Sequence, residues 1–90
     1  MNLRFEQTCS SSPEQYDVYD ENNNQVAYVR LRWGCLSVSC PDYGCEIVYE
    51  HEFSDGFKGC FSDKQERSKY MKRITNAIIE YYEDLEENDL

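Results

Sequence analysis

The sequence predicts an α+β fold: an antiparallel β-meander of four to five strands packed by one C-terminal α-helix. Three observations carry this expectation. Residues 2–53 hold short runs in which apolar and polar side chains alternate, separated by turn-forming residues. Residues 62–85 carry apolar side chains at helical spacing instead. With 90 residues, 40% hydrophobic and 14% aromatic, the chain suffices for one thin core and is too rich in large side chains for a disordered acidic segment. The expected organisation is a single domain over 1–90, with the strands within 2–53, the helix over about 62–85 and an acidic tail over 86–90.

Leu3, Phe5 and Thr8 mark a short opening strand, followed by a turn at Ser10-Ser11-Ser12-Pro13. Over 16–20, Tyr16 and Val18 share one face while Asp17 and Tyr19 take the other, which is a strand. Glu21-Asn22-Asn23-Asn24 tolerates the left-handed backbone angles of a tight hairpin. The clearest strand spans 25–33, with Ala27, Val29, Leu31 and Trp33 opposite Val26, Tyr28, Arg30 and Arg32. Gly34 permits the reversal into 35–40, where Leu36, Val38 and Cys40 alternate with Cys35, Ser37 and Ser39. Pro41-Asp42-Tyr43-Gly44 signals a further turn. Ile47, Tyr49, His51 and Phe53 then alternate with Glu46, Val48, Glu50 and Glu52. Ser62 or Asp63, with Gln65 or Glu66 three residues on, begins the helix as a capping box. Met71, Ile74, Ile78, Tyr81 and Leu85, joined by Tyr70 and Ala77, form its apolar stripe. That stripe is expected to cover some of Val29, Leu31, Trp33, Leu36, Val38, Ile47 and Tyr49. The other sheet face then shows Tyr28, Arg30, Arg32, Glu46, Glu50 and Glu52 to solvent or a partner.

Charge supplies the functional signal. Eighteen acidic residues against nine basic ones give a formal charge of −9. Within the helix, Lys64, Arg67, Lys69, Lys72 and Arg73 crowd the first half, while Glu80, Glu83, Asp84, Glu86, Glu87 and Asp89 crowd the end. A helix macrodipole favours the reverse order by ~0.3–1 kcal/mol per residue. Most of these charges therefore do not serve the helix, and a partner is one explanation. The net charge repels nucleic acid and anionic membranes at long range, so the partner is a basic protein surface. The chain lacks the ~20 consecutive apolar residues needed to span a bilayer. The opening Met1-Asn2-Leu3-Arg4-Phe5-Glu6 has no signal-peptide run, which places the chain in a cytoplasm with its five cysteines reduced.

The candidate interface is the acidic end. Glu80, Glu83 or Asp84, and Glu87 recur at helical i+3 and i+4 spacing, so their carboxylates stand ~5–6 Å apart along one face. Such a row can oppose lysines and arginines that otherwise contact phosphates, which follow one another every ~3.4 Å along a strand. Tyr81 and Tyr82 offer flat anchors beside it, and Glu46, Glu50 and Glu52 form a second acidic patch. The plainer alternative is a frayed, solvated tail. In size, charge and layout, and in the acidic end Tyr81-Tyr82-Glu83-Asp84-Leu85-Glu86-Glu87, the chain resembles phage-encoded anti-CRISPR proteins that block basic DNA channels. That resemblance implies blockade of a protein partner in a bacterial host cell, without catalysis.

Other chemistries have weaker support. Cys35, Cys40 and Cys45 follow one another at C-x4-C spacing, but Cys35 and Cys40 differ in parity and point to opposite faces, so zinc would need Cys9, Cys60 or His51 from distant loops. No metal or other cofactor is expected. His51 is the lone histidine, and no phosphate loop or nucleophile elbow accompanies it, so an enzyme is not expected. Tyr28, Arg30 and Arg32 resemble a nucleic-acid reader in type, but they do not outweigh the net charge. The helix bases more naturally pair with sheet carboxylates or with an acidic second copy, as a monomer or weak homodimer. The alternative function is a small structural or assembly protein of a phage or mobile element that acts by oligomerisation.

Overall fold

The computed structural model describes residues 1–9 and 13–88 and shows a five-stranded antiparallel sheet with one helix laid across it. The strands are β1 (Arg4–Cys9), β2 (Glu14–Tyr19), β3 (Gln25–Arg32), β4 (Cys35–Cys40) and β5 (Glu46–Glu52), paired in that order, and the helix α1 is Lys64–Asn88. The fold is therefore the expected α+β meander. The expected turn at Ser10-Ser11-Ser12 and the acidic Asp89 lie outside the described residues.

Each hairpin follows from local chemistry. Between β2 and β3, Asp20 accepts hydrogen bonds from the N–H groups of Asn22 and Asn24, and Asn23 takes the positive φ of 65°. Between β3 and β4, Trp33 and Gly34 form a two-residue turn with φ of 52° and 72°, the geometry whose twist matches the flanking strands. Trp33 thus leaves the alternation, and it is 65% exposed rather than covered by the helix. The loop after β5 closes on this turn: Gly34 N–H donates to the Lys58 carbonyl at 2.9 Å and Phe53 N–H to the Gly34 carbonyl at 2.7 Å.

The β4–β5 pairing changes one further expectation. Val38 pairs with Tyr49 but Ser39 with Ile47, so β5 holds one extra residue at this point. Because side-chain direction has a period of two, the bulge sends Ile47 to the face away from the helix and brings Glu46, opposite Cys40, to the helix side. The sequence alternation holds only from Tyr49 onward.

Tyr16, Val18, Ala27, Val29, Leu31, Leu36, Val38 and Cys40 form the covered sheet face. Tyr70, Ile74 and Ile78 are their buried partners from α1, and Ile74 and Ile78 each contribute ~1.5–3 kcal/mol by burial. Asp63 caps the helix by accepting from Glu66 N–H at 2.8 Å, while Glu66 reaches back to Ser62 N–H at 2.8 Å. Lys58 Nζ joins Glu66 at 2.9 Å. These contacts, the Ser62 N–H first, hold the Glu66 carboxyl below its ordinary pKa.

A buried carboxylate fixes the helix start on the sheet. Glu14, 2% exposed, accepts from Arg67 Nε at 2.9 Å and Arg67 Nη2 at 3.2 Å, from Phe61 N–H at 3.2 Å, and from the Tyr16 hydroxyl. Burial alone would raise its pKa; the hydrogen bonds from Arg67, Tyr16 and Phe61 outweigh that and lower it. Tyr16 responds in the opposite sense, pushed up to about 12 by burial and by the Glu14 charge. At the other end, the Tyr82 hydroxyl donates to the Val26 carbonyl of β3 at 2.5 Å.

Candidate functional site

The acidic end of α1 projects because the helix is longer than the sheet is wide along the strands. Its 25 residues span about 37 Å, whereas strands of 6 to 8 residues reach about 20–26 Å. The molecule measures 43 Å along its greatest extent. From Glu83 to Glu87 every side chain is exposed, including Leu85 at 42%, which the apolar stripe placed in the core. The helix continues through Glu86 and Glu87, past the expected end near Leu85, so these two residues are helical rather than a tail.

Glu80, Glu83, Asp84, Glu86 and Glu87 are all exposed on this projecting segment. The β5 bulge adds to them. Glu46, on the helix side, lines a shallow hollow of about 230 Å³ together with its neighbours Ile47 and Val48 and with Ala77, Glu80, Tyr81 and Asp84. Three carboxylates from two elements thus face one depression. The Tyr81 hydroxyl beside them has a raised pKa, first through partial burial and then through the negative charge of Glu46. The salt bridges among the described residues, Arg4–Glu6, Lys58–Glu66 and Arg67–Glu14, neutralise none of these acids. No basic residue stands in the last turn of the helix.

The remaining sequence candidates separate from this group. Glu50 and Glu52 pair with Ser37 and Cys35 on the opposite sheet face, so the second acidic patch is divided by the bulge. Glu50 there lines a hollow with Arg30, Arg32 and Cys35. The Cys35 thiol is pushed up in pKa by burial and then by Glu50 and Glu52. Tyr81 remains at the rim of the acidic hollow, but Tyr82 is committed to the sheet, with its hydroxyl on Val26 and close to Cys40. Burial, then Cys40, raises the Tyr82 pKa.

A comparison with known protein families, with curated proteins and with solved structures finds no match. The reading of the surface therefore rests on its geometry.

Cys40 is buried on the helix side and Cys35 faces the other way, as their parity predicts. Among the described residues no three His, Cys, Asp or Glu side chains converge on a metal-holding position, and no helix is long and apolar enough to cross a membrane. His51 Nε2 lies 3.2 Å from the Tyr70 hydroxyl, inside an aromatic group with Phe53 and Phe61. Of the helix bases, Arg67 pairs with a sheet carboxylate as expected, whereas Lys64, Lys69, Lys72 and Arg73 make no ion pair among the described residues.

Two features escaped sequence reasoning. The Glu14–Arg67 clamp was detectable in principle, because Glu14 continues the inward parity of Tyr16 and Val18. The second is a groove of about 570 Å³ of mixed lining, from Pro13, Arg32, Trp33, Phe57 and Gly59. It depends on loop 53–59 folding against Gly34, which no periodicity announces.

Proposed function

We propose that this chain is a protein-binding inhibitor whose carboxylates occupy a basic, nucleic-acid-binding surface of a bacterial host enzyme, such as a CRISPR effector. The observation that supports it is the projecting helix end with Glu46 beside it: six exposed carboxylates, Glu46, Glu80, Glu83, Asp84, Glu86 and Glu87, without an internal counter-ion among the described residues. Acids at a helix C-terminus oppose the macrodipole and one another. Their arrangement suits an electropositive groove, where desolvation strengthens each pairing and complementary potential speeds encounter. Nothing in this reading requires bond chemistry, nucleic acid or a membrane.

The experiment is retention of host nucleic-acid-binding proteins by the immobilised chain at about 0.05 M salt, followed by about 0.5 M salt or competing duplex DNA. Retained protein is expected to leave with either treatment. The variant Asp84→Lys/Glu86→Lys/Glu87→Lys should lose retention while its helix becomes more stable, by about 1–2 kcal/mol, since each change now suits the dipole. Equal retention by this variant, or a retained protein that DNA does not displace, rejects the proposal.

The assembly reading has one observation of its own. Trp33 and Phe57, 65% and 84% exposed, meet edge to face at 6.4 Å over this groove, and exposed aromatic pairs of this kind anchor protein contacts. An assembly held there survives high salt, unlike the electrostatic capture.

A further inference from the structure

We propose that the outward stripe of α1 is an interface with a second copy of this chain, the two helices lying antiparallel about a twofold axis at Asn76. At about 100° per residue, Lys69, Lys72, Asn76, Glu80, Glu83 and Glu87 fall within a strip about 80° wide, opposite the buried Ile74 and Ile78. All six are exposed. The charges along the strip are antisymmetric: lysines stand seven and four positions before Asn76, glutamates four and seven positions after it.

Reversing the direction of one helix therefore brings Lys72 level with Glu80 and Lys69 level with Glu83. The twofold axis repeats both, giving two close Lys69–Glu83 juxtapositions near the midline of the strip and two wider Lys72–Glu80 ones between its opposite edges, whereas a parallel pairing sets like against like. The two Asn76 amides meet at the axis, each able to donate and accept. A hollow of about 380 Å³ beside the strip, lined by Ser68, Met71, Lys72, Thr75 and Asn76, leaves room for the opposing side chains. The same surface serves both copies, so the contact closes at two and does not propagate. Within one chain Lys69, Lys72, Glu80 and Glu83 have no ion-pair partners among the described residues, so pairing does not break existing bridges.

The overall charge of −9 per chain opposes association, but that repulsion acts between distant groups and is screened beyond ~8 Å at physiological salt, while contact pairs are screened less. The dimer is accordingly weak and electrostatic. It covers Glu80 and Glu83, so on the inhibitor reading it competes with the basic partner, a consequence that alone rests on that reading.

Sedimentation velocity of the purified chain decides the matter. At about 0.1 M salt the dimer fraction should rise with concentration up to about 1 mM, and it should fall at about 1 M salt. Lys69→Glu/Lys72→Glu and Glu80→Lys/Glu83→Lys should each weaken association by about tenfold or more while leaving the circular dichroism unchanged. Mixed in equal amounts, these two variants should recover association as a heterodimer, visible by native mass spectrometry. Each pair of substitutions moves the formal charge of −9 by four, so both chains remain negative and bulk attraction does not explain recovery. A wild-type chain that stays monomeric, a dimer indifferent to salt or to either variant, or a folded mixture that stays monomeric overturns the proposal.

Discussion

The Glu14–Arg67 pair should respond very unequally to loss of one partner or the other. Glu14 is 2% exposed, whereas the Arg67 side chain is 40% exposed. Arg67→Met leaves a buried carboxylate with only Tyr16 and the Phe61 N–H as donors, a situation that costs about 3–5 kcal/mol. Glu14→Gln keeps the shape and one acceptor oxygen, and the freed guanidinium turns to water, so the loss is smaller, about 1–3 kcal/mol for weakened charge-assisted hydrogen bonds. A domain of this size has about 5–13 kcal/mol in total, so Arg67→Met should be near the limit of folding. The pH dependence differs in sign. In the wild type the Glu14 carboxyl is lowered from 4.5, so its contribution is complete above 4.5 and is lost as pH falls through its own lower value. In Arg67→Met the guanidinium no longer opposes burial, so the Glu14 pKa lies above its wild-type value although Tyr16 and the Phe61 N–H still lower it, and the deficit at neutral pH should shrink as acid protonates the group. Urea unfolding at neutral and mildly acidic pH, with the two variants side by side, measures both effects. Equal costs for the two substitutions, or a deficit in Arg67→Met that grows with acidity relative to wild type, would refute the reasoning.

Gly34→Ala places a Cβ 2.5 Å from the Asp55 carbonyl oxygen and 2.8 Å from Gly56 Cα, on a residue with φ of 72°. Backbone strain and displacement of the 53–59 loop together should cost about 2 kcal/mol or more, a fall in Tm of about 8 °C or more by calorimetry; an unchanged Tm would show that the loop yields freely. Thiol labelling at about pH 8 should mark exposed Cys45 and Cys60 in the native protein and Cys40 only after denaturation. Cys40 is 1% exposed and burial pushes its pKa up to about 11, so rapid native labelling there would contradict the packing of Tyr82 over it.

Most of the fold was legible because most of its elements are periodic. Val29, Leu31, Leu36 and Val38 alternate inward as the sequence indicates, and Tyr70, Ile74 and Ile78 meet them at helical spacing. The failures lie where periodicity is interrupted without a local marker. Trp33 continues the pattern of β3 in the sequence, yet the turn claims it together with Gly34. Ile47 and Glu46 exchange faces because of a one-residue bulge that is specified by pairing with β4, and pairing is invisible in a single strand. Leu85 keeps the stripe's spacing, but spacing cannot report that the sheet has ended beneath it. The acid cluster was legible as composition and as helix position. Its union with Glu46, and its separation from Glu50 and Glu52, required the register.

The same mismatch of lengths links the stability of the helix to its surface. A helix confined to the sheet would end soon after Tyr82, half-buried, whose hydroxyl on the Val26 carbonyl is the last anchor to the sheet. The following residues, Glu83 to Glu87, gain nothing from the core, and their charges oppose both the dipole and each other. Propagation from an already nucleated, anchored helix adds one hydrogen bond per residue fixed, which is sufficient to carry the segment outward. Anchoring by Glu14 and Arg67 at one end and Tyr82 at the other therefore converts a run of acids that would not form a helix alone into a projecting array of defined spacing. The basic first half, held on the same rod, gives that array its complement in a second copy. Weakening Tyr82 while leaving every carboxylate in place would remove the spacing and keep the charge, so loss of the proposed binding in such a variant would identify spacing rather than charge as its basis.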